Sequence, residues 1–187
     1  MSMPSVILSE LNTSMIGNPS EPAWPDDVQL FQPFISEQIL LPERANVTAV
    51  QAFLKMCQLH FLTQQRANAE FMSPSGGVPF IKCGNFVIAD MDPIVDFVLN
   101  RCEINLSDHL EQAQKSDMKA YMALVNSVLY NAELYLTWMI DVNHLNTTSK
   151  RYSFGYPWPL NKILLWKKRR QITSVDRLFF EFEFFNY

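Results

Sequence analysis

The side chains best suited to metal or redox chemistry in this sequence are three cysteines and three histidines. These are Cys57, Cys83, Cys102, His60, His109 and His144. The cysteines form no CxxC pair and show no spacing typical of a disulfide framework or a zinc site, which predicts reduced thiols. The histidines share no spacing with one another, with acidic residues or with the cysteines, so we interpret them as ordinary surface or half-buried side chains. We therefore expect no metal site.

The only dense run of charge in the chain is basic, Lys167-Lys168-Arg169-Arg170. At the end of a helix, such a run is most simply a solvated terminus, where the helix dipole favours cations. The alternative is contact with a partner or with anionic lipid headgroups, which is worth about 1 kcal/mol per basic residue near the surface. The residues favour the first interpretation and leave the second open.

Composition indicates a globular protein and excludes several classes. Hydrophobic residues make up 48% of the 187 residues and charged residues 18%, which is enough apolar material for a core. The net charge of −4 offers no basic face for phosphates, so we expect no nucleic-acid partner. No Lys or Arg precedes Arg44, and no apolar run approaches the roughly 18 residues of a membrane span. We therefore expect no secretory signal, no import presequence and no transmembrane helix.

Hydrophobic periodicity and turn residues divide the first half of the chain into short elements. Residues 1–25 are rich in Ser, Pro and Asn, which predicts a flexible tail. The predicted elements are a strand at 28–31, a helix capped by Asn46, a strand at 59–64, a hairpin of 78–83 and 86–89, and a helix capped by Asp92. In the first helix Cys57 shares an apolar face with Val50 and Phe53, so it is predicted to be a core residue.

The second half of the chain has a helical pattern. Residues 108–139 contain no Gly or Pro, and their apolar residues step by threes and fours, which predicts a long amphipathic helix. A loop is predicted over 141–155, and Pro159 can open a further helix over 160–170. The predicted units are the tail at 1–25, an α+β domain at 26–103, a helical domain at 104–170 and a divergent tail at 171–187.

The order of these elements, with Val78-Pro79 before the hairpin, resembles the thioredoxin-like half of glutathione transferases, and the long helix resembles the start of their helical half. Seven blocks between Trp24 and Trp166 further resemble the metaxin family, in particular the metaxin-2 type without its own membrane anchor. The blocks are EQIL at 37–40, AVQAFL at 49–54, RANAEFMSPSG at 66–76, VPFI at 78–81, MKAYM at 118–122, AELYL at 132–136 and YPWPLN at 156–161. This resemblance implies a thioredoxin-like N-terminal domain followed by an incomplete all-helical glutathione-transferase-like C-terminal domain.

The resemblance to metaxins also implies a function. It implies a non-catalytic subunit of the sorting and assembly machinery, which inserts β-barrel proteins into the mitochondrial outer membrane. It places the protein on the cytosolic face, held by a membrane-anchored metaxin-1-type partner and by the β-barrel assembly channel, with peripheral membrane contact. It implies no small-molecule substrate.

The resemblance to glutathione transferases locates the groups that catalysis would need. A Tyr, Ser or Cys after the first strand activates the glutathione thiol in those enzymes, and in 34–37 only Ser36 could do so. An acidic or amide residue followed by Ser holds the glutamyl end, but this chain has Asp90-Met91, and a thioether cannot hold a carboxylate. We therefore expect no catalytic residue and no cofactor, and we keep a glutathione-dependent transferase as the alternative.

Val78 and Pro79 are the candidate docking residues. In thioredoxin-like folds the proline that matches Pro79 is cis and turns the preceding backbone outward, so the resemblance makes the backbone of Val78 a candidate for pairing with an extended peptide. The simpler interpretation is that Pro79 only shapes the turn before the hairpin. The sequence favours the simpler interpretation and leaves both open.

The similarity to metaxins ends after Arg170, and the remaining residues are strongly aromatic. A complete helical half needs further helices to cover the long one, so we expect a truncated product with an exposed apolar stripe between Met118 and Met139. The tail at 171–187 is expected either to fold back over this stripe or to pair with other chains as a β-prone segment. A non-functional truncated isoform is therefore a further alternative.

Overall fold

The computed structural model describes residues 24–104 and 106–184, with side chains as far as Thr173. Most of the tail predicted over 1–25 therefore lies outside the described residues. Seven elements make up the first half of the described chain. They are β1 (Gln29–Gln32), α1 (Leu41–Met56), β2 (Leu62–Gln65), α2 (Ala69–Met72), β3 (Phe80–Cys83), β4 (Phe86–Ala89) and α3 (Met91–Cys102).

The four strands form one mixed sheet in the order β2-β1-β3-β4. β1 pairs in parallel with β2, where Leu30 lies opposite Thr63, and antiparallel with β3, where Leu30 lies opposite Ile81. β3 and β4 form the predicted hairpin, and Gly84 in its turn has a φ of +57°, which favours glycine. With α1 as the crossover between the two parallel strands, this topology confirms the predicted thioredoxin-like first half.

Both faces of the sheet are covered, because alternate strand residues point to opposite sides. On one face Leu30 and Ile81 pack with side chains of α1 and α3 in the main core, and Cys57 belongs to this core as predicted. On the other face Phe31 stacks on Phe80 with ring centroids 4.7 Å apart, and both rings are buried. The sheet therefore contributes to two separate apolar clusters, one on each face.

The first helix begins earlier than predicted. Asn46 lies inside α1, which starts at Leu41, so its predicted role as the cap is wrong. The Glu43 carboxylate instead accepts a hydrogen bond from the Leu40 backbone N–H at 3.1 Å, and Pro42 occupies the first turn, where its missing N–H is not needed. A carboxylate that reaches back from the third helical position fixes the start of the helix.

Other boundaries in the first half also differ from the prediction, and β1 and β3 begin one and two residues later than predicted. β2 begins at Leu62, three residues later than predicted, and α3 begins at Met91, so Asp92 lies inside it rather than capping it. The short helix α2 was not predicted, because four residues are too few to show a helical period.

The second half of the described chain is mostly helical. Residues 112–139 form the long helix, which confirms that prediction. It runs through α4 (Gln112–Leu124), a π turn (Val125–Leu129), α5 (Tyr130–Leu134) and a second π turn (Tyr135–Met139). The middle helix comprises α6 (Asp141–Asn143), a π turn (His144–Thr148) and α7 (Ser149–Tyr152), and the last helix is α8 (Leu160–Phe184).

Two predictions for this half are wrong. The loop predicted over 141–155 is helical as far as Tyr152. The last helix does not end at Arg170 but continues to Phe184, so the backbone of 171–184 is helical rather than extended. Residues 185–187 of the predicted divergent tail lie outside the described part of the chain.

The two halves meet around Trp138, which is only 1% exposed. Its indole packs edge-on against the ring of Tyr152, with centroids 5.3 Å apart. Leu40, from the segment before α1, and Ile172, from the last helix, complete this cluster. One aromatic side chain of the long helix therefore joins the sheet domain, the middle helix and the last helix.

Within the described residues, no helix is both long and apolar enough to cross a membrane. In the same part of the chain, no group of three Cys, His, Asp or Glu side chains is placed to hold a metal ion. His60 and His109 lie exposed at the surface, whereas His144 is buried against Trp138.

Candidate functional site

A cavity of about 110 Å³ lies between the sheet domain and the helical half. Its walls come from the start of α1, the loop before β3, the long helix and the last helix. The lining residues are Leu40, Pro42, Glu43, Asn46, Glu70, Gly76, Gly77, Val78, Asp90, Tyr130, Leu134, Trp138, Lys168 and Ile172. The resemblance to glutathione transferases places glutathione here, beside Val78 and Asp90. The cavity volume lies below the range of about 300–1,000 Å³ that is typical of ligand pockets.

Among the described residues that line the cavity, Lys168 of the last helix is the only basic one, beside the carboxyl groups of Glu43, Glu70 and Asp90. Its ammonium group forms an ion pair with Glu70. Burial raises the pKa of Glu43 above its ordinary value and the charge of Glu70 adds to the rise, while the Leu40 N–H and Lys168 oppose it. The cavity wall therefore carries more carboxyl groups than cations, and its one lysine is already paired with Glu70.

Glu70 connects three elements around the cavity. One carboxylate oxygen accepts from the Lys168 ammonium group, and the other accepts from the Tyr152 hydroxyl at 3.1 Å. Burial and the neighbouring charge of Glu70 raise the pKa of Tyr152 well above its usual range, so this hydroxyl stays a donor. Since Glu70 belongs to α2, Tyr152 to the middle helix and Lys168 to the last helix, its carboxylate ties both later helices to the sheet domain.

The structure does not bring the candidate catalytic residues together. Ser36 lies exposed in a turn, where its carbonyl oxygen accepts from Arg151 Nη2 at 3.1 Å, and it does not line the cavity. Met91 packs against the main core rather than facing the cavity. Asp90 does line the cavity, and a Cβ at Gly77 would lie 2.7 Å from its Oδ1, so a larger residue at position 77 would displace this carboxylate. One of the three expected positions therefore reaches the site.

The peptide bond between Val78 and Pro79 is cis, as the resemblance implies. Pro79 is fully buried, and its carbonyl oxygen accepts from the Asp90 N–H at 3.2 Å. Val78 lines the cavity, and among the described residues its backbone N–H and C=O make no hydrogen bond. The backbone of Val78 is therefore unpaired, and the residue is buried beside a cavity that Trp138 and Lys168 also line.

The basic run at 167–170 does not form one surface. Lys168 turns inward to Glu70, and the Arg169 guanidinium donates to the Asp141 carboxylate at 3.0 Å. Arg170 lies over the exposed ring of Trp166, 5.3 Å from its centroid. Among the described residues, no carboxylate pairs with the exposed Lys167. Only the first and last residues of the run therefore remain available for a membrane or a partner.

Sequence reasoning did not single out Trp138, Glu70 or Tyr152, which close the site. Glu70 and Tyr152 lie 82 positions apart, so no spacing rule connects them. His144 also packs beside Trp138, and burial together with the charge of Arg169 lowers its pKa, which keeps the ring neutral near pH 7. A local signal existed only for Glu70, which lies within the 66–76 block of the resemblance.

Comparisons with known proteins agree with this fold. The family described as glutathione S-transferase N-terminal domain matches residues 45–144. Human metaxin-2 is 50% identical over 149 residues, which cover 80% of this chain and 56% of that protein. The metaxin-2 homolog of Caenorhabditis elegans is 35% identical over 170 residues, which cover 91% of this chain and 73% of that protein. The chain belongs to the metaxin family.

Within the metaxin family the chain is of the metaxin-2 type. Mouse metaxin-1 is only 26% identical, over 101 residues that cover 54% of this chain and 32% of that protein. The chain spans a little more than half, 56%, of the length of the human and mouse metaxin-2 proteins that it matches. No solved structure matches the chain. These relatives carry metaxin names rather than enzyme names, and the transferase-like domain of this metaxin does not by itself exclude catalysis.

Proposed function

We propose that this metaxin is a non-catalytic subunit of the mitochondrial outer-membrane sorting and assembly machinery, which aids the import and insertion of β-barrel proteins. It acts on the cytosolic face of that membrane, bound to a membrane-anchored metaxin-1-type partner and to the barrel-assembly channel. It takes no small-molecule substrate and contacts no nucleic acid. Its membership of the metaxin family supports this role.

The observation that carries the non-catalytic part of the proposal is the narrow space at the glutathione position. The space beside Val78 measures about 110 Å³, and the Lys168–Glu70 ion pair and the indole of Trp138 form its wall. No hydroxyl or thiol of the Ser36 turn reaches it. Tyr130 of the long helix supplies the one hydroxyl among the described lining residues, but burial raises its pKa, and it lies far along the chain from the segment after β1 that carries the activating group in those enzymes.

A co-purification and a calorimetric titration with glutathione together test this proposal. The full chain, expressed with an affinity tag, is expected to co-purify from solubilised mitochondrial outer membranes with a membrane-anchored metaxin and the barrel-assembly channel. Calorimetry of the same preparation against millimolar glutathione is expected to give no binding heat. Retention on immobilised glutathione with thiol-conjugating activity supports the transferase alternative, which the match at 45–144 favours. A chain that binds neither glutathione nor the outer-membrane proteins contradicts the proposal.

Docking of an extended peptide at Val78 and Pro79 is part of the same proposal. The unpaired N–H and C=O of Val78 support it, because strand-like docking supplies hydrogen bonds to such groups. The partner would need to displace Lys168 from the cavity wall to reach them. In the purified complex, the Val78 amide is therefore expected to exchange hydrogen more slowly than in the isolated chain, and an unchanged rate contradicts docking at this position.

Contact with anionic lipid is expected to depend on Lys167 and Arg170, the outward residues of the basic run. Replacing both with glutamine is expected to weaken binding to anionic liposomes roughly thirtyfold, from about 1 kcal/mol per basic residue. The matched control replaces the exposed Lys55 and Lys82 of the sheet domain, which changes the net charge equally. Equal binding of the original chain to neutral and anionic liposomes contradicts the lipid contact, and so does an equal loss in the control.

A further inference from the structure

A second cavity, of about 290 Å³, lies between the last helix, the middle helix and the segment that runs from α2 into the loop before β3. It is distinct from the glutathione position, although the Glu70–Lys168 ion pair borders both spaces. Its volume is close to the lower end of the range of about 300–1,000 Å³ that is typical of ligand pockets. Phe71, Ser75 and Lys167 on its wall are exposed, so the cavity opens to solvent. We call this space the outer cavity.

One face of the last helix forms the basic wall of the outer cavity. Four residues of this helix line the cavity, at positions i, i+3, i+4 and i+7, and this spacing places them on one side of a helix. They are Leu164, Lys167, Lys168 and Gln171. Two ammonium groups therefore belong to the same wall.

The outer cavity carries more positive than negative charge, unlike the glutathione position. Among its described lining residues Glu70 is the only acidic one, and its two carboxylate oxygens accept from the Lys168 ammonium group and the Tyr152 hydroxyl. Lys167 is exposed, and in the described part of the chain no carboxylate pairs with it. One positive charge is therefore uncompensated here, in a chain whose net charge is −4. Such a site attracts an anion.

The loop before β3 adds a hydroxyl donor. Ser73 and Ser75 both line the outer cavity, and their Oγ atoms lie 3.3 Å apart. Whichever hydroxyl donates in this contact, the O–H of the other has no acceptor among the described residues. Gly76 turns the loop with a φ of +73°, and a Cβ placed there would meet no atom within 4 Å. The serine pair therefore offers one O–H beside open space.

Phe71 and Leu164 give the outer cavity an apolar side. The Phe71 side chain is 52% exposed, and its ring packs edge-on against the ring of Tyr156, with centroids 6.2 Å apart. Leu164 is half-buried on the wall formed by the last helix. Pockets that combine apolar side chains with a few polar groups bind ligands of the same mixed character. The outer cavity therefore fits a ligand with an apolar body and an anionic head.

The number of donors favours a phosphate monoester over a carboxylate. A phosphate monoester carries a charge of about −1.5 to −2 at pH 7 and three acceptor oxygens. The cavity wall offers three donor groups, which are the Lys167 ammonium, the Lys168 ammonium and the serine pair. Glu70 takes one of the three N–H donors of Lys168, and the others remain for a ligand. A carboxylate has less charge and one oxygen fewer, and the arginine fork that matches it is missing from the described lining residues.

We propose that the outer cavity binds a phosphate monoester that carries an apolar group. Lys167, Lys168 and the serine pair hold the phosphate, and Phe71 contacts the apolar group. This site is independent of the proposed role at the outer membrane, because it follows only from the charges and donors of the cavity. It also differs from the surface contact with lipid through Lys167 and Arg170, since Arg170 is not among the described residues that line the cavity.

Titration of the full chain with phenyl phosphate tests the site, because this compound joins one ring to one phosphate. Binding is followed by NMR at the backbone amides of Gly76 and Lys167, and the expected dissociation constant is roughly 1 mM. Three related compounds each lack one feature. Inorganic phosphate has no ring, benzyl alcohol has no charge, and benzoate has a carboxylate. Each is expected to bind at least about fivefold more weakly than phenyl phosphate.

Two variants and a control locate the site. Lys167→Gln removes the uncompensated charge and is expected to raise the dissociation constant of phenyl phosphate about fivefold. Phe71→Ala is expected to weaken phenyl phosphate by a similar factor and to leave the binding of inorganic phosphate unchanged, because only the ring contact is lost. Arg170→Gln is an equal charge change outside the cavity and is expected to have no effect. All three side chains are exposed, so the variants are expected to fold normally.

The same phosphate chemistry occurs in soluble esters and in the headgroup of phosphatidic acid, and a competition separates the two sources. Displacement of phenyl phosphate by vesicles that contain phosphatidic acid assigns the site to a lipid headgroup, whereas no displacement assigns it to a soluble ester. Either result supports phosphate recognition. The proposal is overturned if phenyl phosphate shifts neither amide at tens of millimolar, or if benzoate or benzyl alcohol binds as tightly. Equal weakening by Lys167→Gln and Arg170→Gln also overturns it.

Discussion

Replacing Trp138 with alanine is expected to lower the free energy of unfolding by about 3–5 kcal/mol, the range for large aromatic side chains removed from a core. Trp138 is 1% exposed and contacts the ring of Tyr152 at 5.3 Å between centroids. It also packs with Leu40 and Ile172, so its removal leaves a void where three elements meet. The neighbouring cavity of about 110 Å³ would become larger rather than collapse. Urea denaturation followed by far-ultraviolet circular dichroism measures the loss.

A second tryptophan provides the matched control. Trp158 is 80% exposed, so Trp158→Ala removes the same atoms with almost no burial, and the expected change is within about 0.5 kcal/mol. Trp138→Phe keeps a ring beside Tyr152 and is expected to lose less than the alanine variant. A loss at Trp138 no larger than the loss at Trp158 would show that the indole does not join the two halves.

The importance of Trp138 shows how far periodicity can identify a core. The long helix was correctly predicted, but its apolar residues surround almost the whole circumference between Lys119 and Glu133. The spacing of threes and fours selects a stripe through Tyr121 and Val125, and the structure leaves that stripe exposed. The face that packs on the sheet domain includes Trp138 and steps by fours. When a helix is apolar on every side, its periodicity cannot identify which face is buried.

The first half could be predicted well because its signals are local. The Gly84-Asn85 turn between two apolar runs specifies the hairpin without help from the rest of the chain. The predicted cap at Asn46 failed for a local reason as well, since a carboxylate at Glu43 serves the Leu40 N–H and starts the helix earlier. Both outcomes follow from groups within four residues of one another.

The middle helix could not be predicted because contacts from elsewhere hold it. Its sequence is rich in Asn, Thr and Ser, which are weak helix formers. The Thr148 hydroxyl donates to the Thr137 carbonyl oxygen at 2.6 Å, and Asn143 Nδ2 donates to the Leu136 carbonyl oxygen at 2.9 Å. These acceptors lie on the long helix, so the middle helix depends on a surface that the local sequence does not describe.

The candidate site also has features that the sequence predicts and features that it does not. The sequence alone predicts that the serine after Asp90 is missing, because Met91 stands in its place and has no hydroxyl group in any conformation. The closure of the site could not, because Glu70 and Lys168 are 98 positions apart and become partners only when the last helix packs on α2. Sequence therefore predicts which groups are missing, whereas only the structure shows which groups fill the space.

Replacing Glu70 with alanine is expected to lower the free energy of unfolding by about 2–3 kcal/mol, because it leaves the Lys168 ammonium group and the Tyr152 hydroxyl without their acceptor. The side chains of Lys168 and Glu70 are 23% and 17% exposed, so water compensates in part and the loss stays below that of a fully buried pair. The Arg169–Asp141 pair of the same helix is the control. Its side chains are 42% and 78% exposed, and Asp141→Ala is expected to change stability by at most about 0.5 kcal/mol.

A double-mutant cycle separates the ion pair from the general effect of truncation. If the charges hold the last helix on α2, Lys168→Met combined with Glu70→Ala removes the stranded ammonium group and is expected to recover about 1–2 kcal/mol relative to additivity. Additive losses would mean that the two side chains act separately and that the helix is held by Ile172 and Trp138 alone. The distinction matters for function. If one displaceable ion pair holds the last helix, the helix can move away and expose the Val78 backbone to a partner, whereas a helix held by the apolar cluster cannot.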